Sequence, residues 1–154
     1  MKKIGIGYAC SFQGVNYHFG HPDSSSVELC VSENNHIIAR TAASDIGQGL
    51  ESMIIAVISI QFGGFPPEKI HWEGSNTSSP DAGGTGASRQ STLTGNATFN
   101  ACERLKVLLR SVASEYLDVD PDLIIFDGDI VRASERFVGI EEIFDEARNA
   151  GLSL

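Results

Sequence analysis

The chain is poor in the features that would place it quickly. Its three cysteines, Cys10, Cys30 and Cys102, are odd in number and widely spaced, with no C-x-x-C pair. That argues against a disulfide framework, and against a zinc or iron–sulfur site built from this chain alone. Basic residues are scarce: 11 Lys and Arg stand against 20 Asp and Glu, a net charge of −9. With no basic stripe to neutralise phosphates, nucleic acid and anionic membrane surfaces are excluded as expected partners. No apolar run reaches the ~18 residues a membrane helix needs, and the N-terminus lacks a signal-peptide pattern, so a cytoplasmic location is expected. Neither G-x-x-x-x-G-K-[ST] nor G-x-G-x-x-G occurs, which removes the common phosphate-cradling motifs of nucleotide-binding domains. There is no internal repeat and no low-complexity tract.

What remains is ordinary for a folded domain. Hydrophobic residues make up 42 % and charged residues 20 % of 154 positions, enough for one domain, residues 1–154, with a sizeable core. Residues 3–13 read as a glycine-containing strand and 14–24 as a loop. Val27, Leu29 and Val31 alternate with polar positions, and Asn34-Asn35 turns the chain into Ile37–Thr41, which predicts a hairpin. Leu50, Met53, Ile54, Val57 and Ile58 share one face of a helix, with Ile55 and Ile60 widening its apolar surface. That helix stops at Gly63-Gly64 and Pro66-Pro67. A short strand at Ile70–Glu73 precedes a long loop over 74–90. A second helix from Ser91 to Leu117 shows a stripe at Leu93, Ala97, Ala101, Leu105, Leu108, Val112 and Tyr116. A hairpin over 123–132 turns at Asp127-Gly128, and a last helix runs from Ile140 to Ala150. Strands in hairpins with helices between them predict an α+β fold: an antiparallel or mixed sheet, two long helices and a short C-terminal helix.

Two loops carry the chemical signal. The first, Ser44-Asp45-Ile46-Gly47-Gln48-Gly49, opens the first long helix behind a capping pair. The second, Ala82-Gly83-Gly84-Thr85-Gly86-Ala87-Ser88-Arg89-Gln90-Ser91-Thr92, opens the second. Uncapped amides and the positive end of the helix dipole favour an anion at each place. Gln48 offers a carboxamide, Thr85, Ser88 and Ser91 offer hydroxyls, and Arg89 offers a fork suited to phosphate. The bland alternative is two mobile helix starts with a capping Ser91 or Thr92. Two such loops in one domain favour a pocket for an extended, phosphate-bearing ligand. The histidines are weaker candidates: His18 and His21 read as surface loop residues, and His71 as ordinary packing beside Trp72. The run Glu141-Glu142, with Asp145 and Glu146, reads as a solvated helix face.

In order, Asp45-Ile46-Gly47-Gln48-Gly49, Lys69-Ile70-His71-Trp72, Pro80-Asp81-Ala82-Gly83-Gly84-Thr85-Gly86-Ala87-Ser88-Arg89 and Thr94-Gly95-Asn96-Ala97 resemble the molybdenum-binding subunit of the xanthine dehydrogenase and aldehyde oxidase family. Gly5-Ile6-Gly7, Phe12-Gln13-Gly14 and the Val27–Thr41 hairpin extend the resemblance to the lead-in of that subunit's second cofactor domain. The resemblance implies a molybdenum hydroxylase that binds molybdopterin, in many bacterial members as its cytosine dinucleotide, with Mo. It implies that Gly47, Gln48 and Gly49 contact the pterin or its phosphate, and that Thr85, Gly86, Ala87, Ser88, Arg89, Gln90, Ser91 and Thr92 contact the pterin and pyrophosphate. Its implied partners are the remaining molybdenum-subunit segments and iron–sulfur and FAD subunits or domains. The family's catalytic glutamate lies in a Gly-Glu motif, and this chain contains no Gly-Glu step. The chain is therefore expected to be inactive alone, as an excised piece or a separately encoded subunit. The competing expectation is a non-enzymatic remnant forming a homo-oligomer.

Overall fold

In the computed structural model, which describes residues 2–12, 14, 15, 17, 20, 22–74, 76–152 and 154, hairpins and helices alternate as the hydrophobic pattern requires. Strands β1 (Glu28–Val31) and β2 (Ile37–Arg40) pair antiparallel, and β3 (Ile70–Glu73) joins β2 in parallel. Between them lies helix α1 (Leu50–Gln61), the crossover that a parallel pair demands. Helix α2 (Arg89–Leu117) has 29 residues, about 43 Å at 1.5 Å per residue. It leads to a second, antiparallel sheet, β4 (Ile125–Asp127), β5 (Ile130–Ala133) and β6 (Arg136–Gly139), and then to α3 (Ile140–Asn149). The fold is α+β, with one mixed and one antiparallel three-stranded sheet.

A single core runs through both sheets. Val31, Ile37, Ala39 and Ile70 join Leu50, Ile54 and Ile58 of α1, then Leu109 and Ala113 of α2 and Ile140, Ile143 and Phe144 of α3. Aromatic edges stitch the halves together: Phe62 meets Phe126 at 5.3 Å and Phe65 meets Phe144 at 6.4 Å between ring centroids. The end of α1 approaches β4 so closely that a Cβ on Gly63 would stand 2.3 Å from the Phe126 carbonyl oxygen. Only glycine fits there, and its φ of +70° adds a second reason. Among the described residues no helix is long and apolar enough to cross a membrane.

Four expectations need correction. Residues 2–12 form no strand. Ile4, Ile6, Tyr8 and Phe12 are 82–105 % exposed, and a strand without a neighbouring ladder has nothing to hold it. The stripe on α2 turns out of register in its first half: Thr94, Thr98 and Cys102 are buried, not Leu93, Ala97 and Ala101. The threonines enter the core because their hydroxyls bond within it, Thr98 donating to the Thr94 carbonyl at 2.7 Å and Thr94 to Gln90 Oε1. Ile60 is 73 % exposed, so α1 is buried along one face only. Strand β6 was not anticipated, and α2 begins at Arg89, two residues early. The three thiols are free, and burial pushes that of Cys102 up to about 12.

Candidate functional site

The first loop folds around its own side chains. Asp45 Oδ1 accepts the Gly47 amide at 2.8 Å and Oδ2 the Glu51 amide at 3.4 Å. The backbone amides of Gly47, Glu51, Leu50 and Gly49 together hold the exposed Asp45 carboxyl below its usual range. The start of α1 is thus already occupied by an anion, the protein's own carboxylate. The capping role read into Ser44-Asp45 is present in Asp45, but the amides of Gly47, Gly49 and Leu50 are not free as expected. Gln48 also turns inward on its loop: its Oε1 accepts from the Ile46 amide at 2.7 Å and its Nε2 donates to the Ser44 carbonyl at 3.1 Å. Gly47 and Gly49 stand at φ of 102° and 77°, the left-handed region where a side chain is strained.

The second loop is pinned from beneath by Arg89, which is 1 % exposed. Its guanidinium Nε donates to Asp23 Oδ1 at 2.8 Å, Nη1 to the carbonyls of Ala82 at 2.6 Å and Gly84 at 2.7 Å, and Nη2 to the Ser24 carbonyl at 2.6 Å and to Asp23 Oδ1. All five guanidinium N–H donors are spent on the protein. The Tyr17 ring stacks against the group 5.1 Å away. Arg89 is consequently a staple that shapes the loop, and the expected free fork toward a phosphate is not what its side chain presents. Asp23, its partner, lies 66 residues away in sequence, where no spacing rule could reveal it.

Above that staple the start of α2 is open. The Arg89 amide donates to the Gly86 carbonyl at 3.0 Å, and the side chain of the N-cap Ser88 makes no cap bond. The next amides, those of Gln90 and Ser91, belong to the set that helix geometry leaves without an intrahelical acceptor. Ala87 and Ser88 precede them at φ of 46° and 53°, two consecutive left-handed non-glycine residues, a costly conformation of the kind that clusters at ligand-binding sites. Gln90 is buried, with Nε2 3.3 Å from both the Gly84 carbonyl and Thr85 Oγ1.

The two loops meet. Thr85 Oγ1 donates to the Ser44 carbonyl at 2.8 Å and lies 3.2 Å from the Ser44 amide. Ile46 and Gln48 from the first loop and Thr85, Gly86, Ala87, Ser88, Arg89, Gln90 and Ser91 from the second line one cleft of about 260 Å³. The expected contact residues Gly47 and Gly49 do not line it. Thr92 instead lines the neighbouring apolar groove of Met53, Val57, Ile60 and Phe99, which the cleft adjoins at Ser91. Of the other candidates, His18 and His21 lie outside the described residues. His71 is exposed and bonds His36, so its reading as packing beside Trp72 is corrected: alternation sends the two side chains to opposite faces of β3. Glu141 pairs with Lys69 and Asp145 with Arg148, on an otherwise solvated α3 face.

With this geometry in view, the similarities can be stated. The molybdopterin cofactor-binding domain family matches residues 1–154. The gamma subunit of the 6-hydroxypseudooxynicotine dehydrogenase complex of Paenarthrobacter nicotinovorans is 30 % identical over 122 residues, 79 % of this chain and 15 % of that protein. An aldehyde oxidoreductase of Megalodesulfovibrio gigas is 33 % identical over 106 residues, 67 % of this chain and 12 % of that protein. A solved copper- and molybdenum-containing CO dehydrogenase superposes with a TM-score of 0.71 at 28 % identity, over 80 % of this chain and 16 % of that one. Quinoline 2-oxidoreductase from Pseudomonas putida 86 shares the fold, with a TM-score of 0.76 at 16 % identity. The chain spans less than a fifth of the length of each of these proteins. It belongs to the molybdopterin cofactor-binding domain family, as a molybdopterin-binding segment of the xanthine dehydrogenase and aldehyde oxidase type.

Proposed function

We propose that the cleft between the two loops cradles the phosphate-bearing part of a molybdopterin cofactor, in an oxidoreductase completed by further molybdenum-subunit segments and by iron–sulfur and FAD partners. The observation that carries this reading is the convergence of both loops on one cleft with an uncapped helix start in its wall. The amides of Gln90 and Ser91 and the hydroxyls of Ser88 and Ser91 would hold the anion, Thr85 would tie the two loops together beside it, and Gln48 and Gly86 would border the pterin. A cleft of about 260 Å³ is below the roughly 300–1,000 Å³ of complete small-molecule sites, which fits a partial cradle. When bound, the cofactor supplies redox chemistry at molybdenum. This chain's own task is to bind, orient and neutralise charge.

The test is molybdenum and pterin analysis of the chain co-purified with the products of neighbouring genes. Bound Mo and pterin that fall several-fold in Thr85→Val, which removes the stitch between the loops, are expected. Partners bound without Mo or pterin would overturn the reading. A spectrophotometric assay of the isolated chain with purines and aldehydes is expected to show no turnover.

A second reading, an assembly module that associates with itself, draws on the exposed Ile4, Ile6, Tyr8 and Phe12. Light scattering separates the two: a concentration-dependent dimer lost on deletion of residues 1–12 favours this module.

A further inference from the structure

His36 and His71 face one another at the far end of β2 from the cofactor cleft, and nothing in the proposed function uses them. His36 immediately precedes β2 and His71 lies on β3, placed opposite Ile38 by the parallel register. Their ring nitrogens, Nδ1 of His36 and Nε2 of His71, are 2.7 Å apart, with ring centroids at 4.8 Å and planes inclined by 36°. His71 is exposed and His36 half-buried. The backbone beneath them is held: the His36 amide donates to Ser32 Oγ at 3.1 Å, and Arg148 Nη1 donates to the Ser32 carbonyl at 3.1 Å.

From this geometry we infer that His36 Nδ1 and His71 Nε2 form a two-imidazole site for a late first-row divalent cation, of which zinc is the representative. Two neighbouring aromatic nitrogens, here 2.7 Å apart, are a donor set such ions accept. Zinc–nitrogen bonds of about 2.0–2.1 Å in tetrahedral geometry set the two nitrogens roughly 3.3 Å apart. The present 2.7 Å therefore opens by only about 0.6 Å, within reach of small ring rotations on an exposed sheet face. A hydrogen bond between two neutral imidazoles places one proton between these nitrogens. Coordination needs both lone pairs, so the donor ring moves its proton to its other nitrogen, and no net proton is released. No third His, Cys, Asp or Glu completes a cluster among the described residues. Water fills the remaining positions, and the site is consequently exchangeable rather than structural.

Calorimetric titration of the intact chain with zinc alone tests this. One site is expected, weakened at least tenfold in His36→Gln and equally in His71→Gln, because chelation needs both rings. The control His18→Gln/His21→Gln, which removes the chain's other two imidazoles, is expected to bind as the parent does. Long-range proton–nitrogen spectra should show zinc shifting His36 Nδ1 and His71 Nε2. Unchanged affinity in either single variant, absent binding by the parent chain, or shifts confined to other groups would each overturn the inference.

Discussion

The two helix-opening loops look alike as strings of glycine and small polar residues, yet they manage their unpaired amides in opposite ways. At α1 the protein fills its own anion site: the Asp45 carboxylate accepts from Gly47 and Glu51, and glycines take every left-handed position. At α2 the N-cap Ser88 adds no side-chain cap bond of its own, and Ala87 and Ser88 hold the left-handed conformation without being glycine. A self-satisfied loop has spent its amides on the protein, whereas the second loop keeps its helix-start amides available. The same dipole argument predicts both, so only the position of one carboxylate tells them apart.

Breaking the support of the second loop should have the largest effect. Arg89→Ala removes the buried cation shared by Asp23 Oδ1 and three carbonyls, and a loss of about 3–5 kcal/mol in urea-denaturation stability is expected. Lysine cannot replace it, since one ammonium reaches fewer of the five acceptor contacts. An unchanged midpoint in Arg89→Ala would show that the staple is incidental.

A smaller, sign-reversing pair sharpens the contrast. Gly49→Ala puts a Cβ at φ of 77° and should destabilise by about 1–2 kcal/mol. Ser88→Gly relieves the same conformation and should stabilise by about 0.5–1 kcal/mol. If the strain at Ser88 serves binding, amide shifts induced by pyrophosphate at Gln90 and Ser91 weaken in that stabilised variant. Equal signs for the two substitutions would erase the distinction drawn between the loops.

The smallest effect concerns Asp45. Its carboxyl titrates below the usual range in the folded chain because amides favour the charged form. Its contribution is therefore present above the unfolded carboxylate pKa of about 3.9 and is lost as pH falls through the lower folded value. Asp45→Asn should flatten that part of the thermal midpoint against pH, below about pH 4. It should also leave the start of α1 less well occupied, so pyrophosphate begins to shift the amides of Gly47 to Leu50.

Much of the architecture was legible in the chain. Asn34-Asn35 and Asp127-Gly128 announced their hairpins, and Gly63-Gly64 with two prolines ended α1, because turn chemistry acts over two or three residues. The stripe on α2 misled in its first half. Hydropathy marks threonine as polar, but Thr94 and Thr98 become core residues once their hydroxyls find acceptors. The strand expected at 3–13 had the right residues and no described neighbour to pair with. Strand β6 was missed because Arg136–Gly139 alternates weakly and pairs only once β5 is in place. Convergence of the loops was expected, but the inward turn of Arg89 was not, since Asp23 comes near only through the fold.

By itself, the order of residues determined the α+β class, the starts of α1 and α3, the membership in a cofactor-binding family and the two glycine-rich loops. Those are local or ordered patterns, written over a few residues at a time. The tertiary structure alone decided which loop keeps open amides, that Arg89 is spent beneath the cleft, and that two histidines 35 positions apart come face to face. Each of those depends on contacts between distant segments, whose partners are chosen by packing rather than by spacing along the chain.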